Sequence, residues 1–305
     1  MTDATQLPSA GPSRARAFGW IWIAYLAALV VGVGGTIIVA DPATDHPIYL
    51  AGIADVLATV VIFAFSAAFR NSSFYDAYWS VVPPLLGLYW WWVAGAVDDP
   101  RIWLAMLVVS CWALRLTYNW AFGWTGLGHE DWRYRDLQER LGILYWPVSF
   151  LGVHMMPTAL VFLGCVPLFL IMGRGSVPLN GIDLLALAVG IAALWIETRA
   201  DLELHRFRAR RSSPAEALTT GVWGWCRHPN YLGEIGLWLS LGLFAWAAGA
   251  DPIWCFAGFV AMVLLFEVVS IPMIEAKLLA AKPGYEAYRR STFRLLPLSA
   301  LRRAR

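Results

Sequence analysis

The sequence predicts an all-α integral membrane protein, a bundle of about eight transmembrane helices with both termini cytoplasmic. Composition is the first observation. Of 305 residues, 59% are hydrophobic and 14% charged, with a mean hydropathy of +0.58, whereas a soluble domain carries about 25% charged residues. Such a chain could not cover a water-facing surface with polar groups. That excludes a soluble globular enzyme, a disordered chain and a secreted disulfide scaffold. The second observation is the recurrence of apolar stretches near the ~20 residues that a bilayer core requires. The third is charge placement. With eight spans and the N-terminus inside, every Lys and Arg except Arg101 and Arg174 falls in an inner segment, the direction in which basic residues set topology.

The elements follow in order. Residues 1–17, rich in Pro, Ser, Ala and Gly, read as a disordered cytoplasmic leader. Phe18–Ala40 is the first span. It is too long for a cleaved signal peptide and no small-residue cleavage site follows it. Its Gly32-Val33-Gly34-Gly35 follows no strand, so it serves close helix packing rather than dinucleotide binding. Ile48–Phe69 is an uninterrupted span. Ala77–Ala96 is broken by Pro83-Pro84, Ile102–Asn119 is the fourth, and Phe150–Met172 is disturbed by Pro147, Pro157 and Pro167. Pro is tolerated in a span where neighbouring helices or water satisfy the freed carbonyls. Ile182–Ile196, Tyr231–Ala248 and Pro252–Ile274 complete the set. Residues 18–298 thus form a single membrane domain, and 299–305 are a basic tail. Cys111, Cys165, Cys226 and Cys255 lack any pairing pattern and read as buried small hydrophobes.

Ionisable residues near membrane depth are the informative ones in so apolar a chain. One group runs off the sixth span. Glu197, Asp201, His205 and Arg208, spaced four, four and three apart, share one helical stripe. Such a stripe suits a polar cofactor, or, more plainly, a solvated helix laced with weak ion pairs. A second group is Arg227-His-Pro-Asn-Tyr-Leu-Gly-Glu. Pro229 fits the first turn of a helix, whose free amides and positive end attract phosphate beside Arg227. Asn230 and Glu234 share a face one turn in. The plainer alternatives are interfacial snorkelling for Arg227 and His228 and a structural pair for Glu234. Glu267 and Glu275 share a face of the last span, which Pro272 is expected to kink. The segment from Lys282 onward is basic and amphipathic, suited to an anionic leaflet.

No metal-ligand spacing, phosphate loop or nucleophile elbow occurs, so no metal site is expected. His154 and Asp55 stand alone in their spans and read as structural hydrogen-bonding residues.

At Arg227-His-Pro-Asn-Tyr-Leu-Gly-Glu the chain resembles the C-terminal part of steroid 5α-reductase-like membrane reductases, a group that includes sterol C14 reductases. More closely it resembles a bacterial branch of that group, the domain-of-unknown-function family numbered 1295. Asn71-Ser-Ser-Phe-Tyr-Asp-Ala-Tyr-Trp-Ser-Val, Gly128-His-Glu-Asp-Trp-Arg-Tyr and Tyr285-Glu-Ala-Tyr-Arg-Arg-Ser-Thr support the likeness. It implies an NADPH-dependent reduction of an activated C=C bond in a lipid-like substrate, in a bacterial inner membrane. It also implies a substrate half at 18–140 and a cofactor half at 141–298. By motif match, Asn230 and Glu234 would meet the nicotinamide side and Arg227 the phosphates. Glu197, Asp201 and Arg208 match an Asn, Asp and Arg of the group, with Glu197 replacing the Asn. The Gln-Glu pair that polarises the steroid ketone has no counterpart, since Gln occurs only at Gln6 and Gln138. Asp76, Tyr78 and Tyr118 are the candidate proton donors. Two rivals stay open. Isoprenylcysteine carboxyl methyltransferases share the Arg-His-Pro-x-Tyr turn and bind S-adenosylmethionine there, and a non-enzymatic membrane protein is the other. The expected partners are a lipid-like molecule and the bilayer, with no nucleic acid.

Overall fold

The structure is a computed structural model that describes residues 13–174 and 177–299. Among these residues every regular element is helical. In order they are α1 (Arg14–Val39), α2 (Pro47–Phe69), α3 (Tyr78–Val93), α4 (Pro100–Gly123), α5 (Trp132–Leu141), α6 (Tyr145–Ser149), α7 (Met156–Met172), α8 (Gly181–Arg210), α9 (Pro229–Ala247), α10 (Pro252–Leu264), α11 (Ile271–Ala281) and α12 (Tyr285–Ser291). An all-α membrane protein is therefore what the chain folds into.

The span count needs correction. Six helical runs among the described residues, not eight, are long and apolar enough to cross a bilayer: α1, α2, α4, Trp132–Met172, α8 and Pro252–Ala281. The stretch expected at Ala77–Ala96 becomes α3, whose 16 residues reach only about 24 Å at 1.5 Å per residue. A bilayer core is ~30 Å thick. The stretch expected at Tyr231–Ala248 becomes α9, whose first turns carry Asn230 and Glu234 and lower its hydropathy.

Boundaries also differ. α1 starts at Arg14, inside the expected leader, because Ala17 is fully buried and Arg14 Nη2 donates to the Ala121 carbonyl at 2.8 Å. Residues 1–12 of that leader, and 300–305 of the tail, lie outside the described residues. Pro83 and Pro84 do not break α3, which runs through both. Pro157 and Pro272 each follow a π-helical turn, Phe150–Met155 and Leu265–Ser270. A proline ring clashes with the carbonyl four residues back. Those carbonyls, of Val153 and Val268, lie inside the wide turns.

The chain forms two compact units, one from the residues up to Val82 with Leu116–Ala159, the other from Pro83–Arg115 with Leu160 onward. In the first, α1 and α2 pack closely. A side chain at Gly32 would stand 2.8 Å from the Ala54 carbonyl oxygen, which fits the packing role expected for that glycine run. Ile21, Ile62, Phe74, Tyr75 and Trp124 build the core. Two sequence motifs clamp one another through Asn71 and Glu130. Asn71 Nδ2 donates to the carbonyls of Leu127 and His129, at 2.8 and 3.1 Å. Glu130 accepts from the Ser72 amide at 2.7 Å and from Gln138 at 3.0 Å. His154 is buried, bonded to the Ser149 carbonyl and to Ser66 Oγ, as its structural reading required.

Asp76, in the loop before α3, accepts from Tyr134 Oη at 2.9 Å. Burial pushes its carboxyl up to about 6, against the lowering effect of the Tyr134 hydrogen bond. A raised pKa means that the fold favours the protonated acid. Its stabilising effect is present below the unfolded value of about 3.9 and is lost as pH rises through about 6. Between pH 4 and 6.5 the protein should therefore lose of order 2 kcal/mol relative to Asp76→Asn. Denaturation of both proteins across that window checks this, and a constant difference between them overturns it.

In the second unit α8 and α9 lie side by side. Ser240 Oγ of α9 donates to the Ala186 carbonyl of α8 at 2.7 Å. Asn180 and Asp183 form a capping box at the start of α8. Arg101 binds Asp183 bidentately at 2.7 and 2.9 Å and donates to the carbonyls of Val177 and Pro178. With four of the five guanidinium N–H groups bonded, the desolvation cost of this buried pair is largely offset. Cys165, Cys226 and Cys255 are buried as expected. Cys111 is exposed, contrary to the expectation, and all four are free thiols.

Candidate functional site

The site begins where α9 meets α8. A β-carbon on Gly233 would lie 2.6 Å from Glu197 Cβ and 2.8 Å from the Ala193 carbonyl oxygen. Only glycine permits that approach, and it sets Glu234 beside Glu197. Both carboxyl groups are buried and close enough to interact directly.

α4 supplies the counter-charge. Arg115 Nη1 donates to Asp201 Oδ2 at 2.7 Å, and its Nη2 forms an ion pair with Glu197 Oε1. One turn earlier on α4, Trp112 Nε1 donates to Glu234 Oε2 at 2.8 Å. Trp238, one turn beyond Glu234, donates to its other oxygen at 3.0 Å. The two indoles, 5.4 Å apart and edge to face, fix that carboxylate from both sides.

Hydrogen bonding within the cluster is incomplete. Glu197 Oε2, Arg115 Nε and Asn230 Oδ1 are buried without a hydrogen-bond partner. Buried polar atoms in native proteins are almost always paired, and these three have hydrogen-bonding capacity to spare. The stripe then opens outward. Asp201 is partly exposed, and His205 and Arg208 are exposed near the end of α8. Glu197 to Arg208 spans about 16 Å along the helix. Glu197, Asp201 and Glu234 are thus brought together around Arg115, with Asn230 one turn before Glu234 on α9 and Arg208 further out on α8.

Arg227 is placed differently. Its Nε donates to Glu275 Oε1 at 2.7 Å and its Nη1 to the carbonyls of Arg289 and Thr292. His228 Nε2 meets the same Glu275 oxygen at 2.9 Å. The backbone amides of Arg227 and His228 donate to the carbonyls of Phe293 and Arg294. Burial holds the His228 imidazole below its ordinary pKa, against the raising effect of Glu275. Glu267, the other acid on that helix run, pairs with Arg294 at 2.6 Å. Arg227, Glu267 and Glu275 therefore hold the C-terminal segment against the start of α9.

The candidate proton donors all lie in the first unit. Tyr78 is buried and donates to Asp55 Oδ1 at 2.9 Å. Asp76 is tied to Tyr134. Tyr118 is 66% exposed and stacks on Phe122.

Sequence reasoning missed Arg115, Trp112, Trp238 and the partnership of Asp55 with Tyr78. A signal for Arg115 is present. It lies inside the span expected at Ile102–Asn119, where a cation is a functional candidate by default, but charge placement counts it only among the basic residues that set topology.

The sequence model of a family described as "Protein of unknown function (DUF1295)" matches residues 62–292. An uncharacterized protein of Schizosaccharomyces pombe, C594.04c, is 23% identical over 78% of this chain and 76% of its own length. No solved structure matches the chain. The family match covers well over half of the sequence and includes both halves of the Glu197–Glu234 site. The chain belongs to the DUF1295 family, part of the steroid 5α-reductase-like superfamily.

Proposed function

We propose that this protein is a membrane-embedded reductase that uses NADPH to reduce an activated carbon–carbon double bond in a lipid-like substrate. The observation that carries the reading is the set of buried, unpaired polar atoms at Glu197, Arg115 and Asn230. The donor set fits the cofactor. Glu197 Oε2 and Asn230 Oδ1 are acceptors suited to the amino group of a carboxamide, and Glu234 holds the floor of the site through Trp112 and Trp238. Asp201 and Arg208 line the way out along α8, with Arg208 presenting a cation to phosphate oxygens.

When bound, NADPH supplies a hydride to the β-carbon of an enone. The chain must then provide a proton. Of the three candidates Tyr78 has a buried phenol aligned by Asp55, and a phenol O–H is a group that can act as a general acid.

The test is a thermal shift of the detergent-purified protein with NADPH, NADH and S-adenosylmethionine. At a hundredfold excess over Kd, NADPH should stabilise by about 2.7 kcal/mol. Asn230→Ala and Glu234→Ala should each abolish that shift. Stabilisation by S-adenosylmethionine with none from NADPH would replace this reading with the methyltransferase one.

A further inference from the structure

The first unit holds a line of buried side-chain oxygens that apolar packing does not require. It starts at Asp55 of α2, 14 positions before the last helical residue Phe69, or about 21 Å along the helix. Asp55 is buried, and no ion pair among the described residues includes it. A carboxylate buried without a cation is costly unless hydrogen bonds spread its charge.

Four hydroxyls extend from it. Tyr78 Oη donates to Asp55 Oδ1 at 2.9 Å and stands 3.4 Å from the Asp55 carbonyl oxygen. In a helix that carbonyl is the acceptor of the Thr59 amide, so Thr59 lies beside the phenol, and its hydroxyl interacts with Tyr78 Oη. Thr59 Oγ1 is 3.0 Å from Thr158 Oγ1 of α7. Thr158 Oγ1 is in turn 2.8 Å from Tyr75 Oη. All five residues are buried. The other titratable groups packed against this line are already bonded. Tyr25 of α1 meets the Tyr78 ring edge-on and donates to the Phe74 carbonyl. His154 lies beside the Tyr75 ring and is held by Ser66 and Ser149.

The order of these groups gives the line a direction. A hydroxyl both accepts and donates, whereas an ionised carboxylate only accepts. With Asp55 ionised, each hydroxyl donates toward it in sequence. With Asp55 protonated, the acid donates to Tyr78 and the sequence reverses. The charge state of Asp55 is thereby expressed at Tyr75, which belongs to the connection between α2 and α3 rather than to a span.

We propose that Asp55, Tyr78, Thr59, Thr158 and Tyr75 form a proton relay inside the membrane, with Asp55 as the group that stores the proton. Chains of this kind are a recurrent use of ionisable residues within spans. In one passage Tyr75 gives its proton to Thr158, Thr158 to Thr59, Thr59 to Tyr78 and Tyr78 to Asp55. Four O–H bonds break and four form, and a solvent proton restores the Tyr75 phenol. The relay does not depend on the reductase reading. Where that reading holds, the same line returns a proton to Tyr78.

The experiment is infrared difference spectroscopy of the full-length, ligand-free protein in nanodiscs. The titration runs from about pH 4 to 10, the interval between a free carboxyl and a free phenol. Raising the pH should remove a protonated-carboxyl band that is absent from Asp55→Asn. A tyrosine C–O band should shift in the same step, and its loss in Tyr75→Phe assigns it. Thr158→Val keeps the side-chain shape and removes the hydroxyl. It should retain the Asp55 band and lose the Tyr75 shift, and Thr158→Ser should restore that shift. Thr59→Val interrupts the line one link earlier and serves if Thr158→Val is not monodisperse. An Asp55 band that does not titrate, or a Tyr75 shift that survives removal of either threonine hydroxyl, overturns the relay. NADPH takes no part in this measurement, so a failed NADPH thermal shift removes the reductase reading and leaves the relay standing.

Discussion

Arg115→Ala should cost the protein roughly 3–5 kcal/mol of stability, the range seen when one partner of a buried ion pair is removed. The guanidinium is the counter-charge held in contact with Glu197 and Asp201, and it lies near Glu234 as well. Without it, the buried carboxyl groups of Glu197 and Glu234 lose the cation beside them. Arg115→Lys should recover only part of the loss, because an ammonium cannot reach Asp201 and Glu197 together in the way a planar fork does. Arg115→Met combined with Glu197→Gln should recover more, since it removes both sides of the uncompensated charge. Reversible denaturation in detergent measures all three. A loss below about 1 kcal/mol for the alanine variant, the scale of an exposed pair, would mean that the acids find other partners and that Arg115 does not organise the site.

Gly233→Val should be nearly as damaging and should also abolish NADPH binding. Its Cβ would press on Glu197 Cβ at 2.6 Å and on the Ala193 backbone oxygen at 2.8 Å. Neither obstacle is the movable end of a flexible side chain, so α9 must shift away from α8. Overpacking of this kind costs about 1–3 kcal/mol or more. The displacement would also part Glu234 from Glu197. Gly236→Ala should do less harm, because its closest neighbour is the Ala193 Cβ at 2.9 Å. Gly34→Ala meets open space and should change stability by no more than about 0.5 kcal/mol. Thermal unfolding of the three variants, with and without NADPH, gives the ranking. A Gly233→Val protein that keeps the cofactor shift would show that the close approach is dispensable.

Much of the candidate site was legible because it lies on short, local spacings. Glu197, Asp201 and Arg208 share a stripe set by the helical repeat, and Asn230 and Glu234 lie one turn apart on the next helix. The apolar character of the chain and its helical class follow from composition alone. Span count was less secure. Hydropathy is a property of stretches, and α3 and α9 differ from true spans by a few residues or by polar atoms at one end. Pro83-Pro84 and Pro157 look like interruptions in the sequence, yet whether a proline breaks a helix depends on the turn before it.

By itself the sequence determined the medium, the helical class and the positions where polarity collects, since each depends on residue type and near-neighbour spacing. Only the tertiary structure decided which charges meet. Arg115 is 86 positions from Asp201, and Arg227 is 65 positions from the Thr292 carbonyl that it binds. A charge acts through space over a few ångströms, and no local pattern records such pairings. The first follows from the packing of α4 against α8, and the second from the C-terminal segment lying against the start of α9.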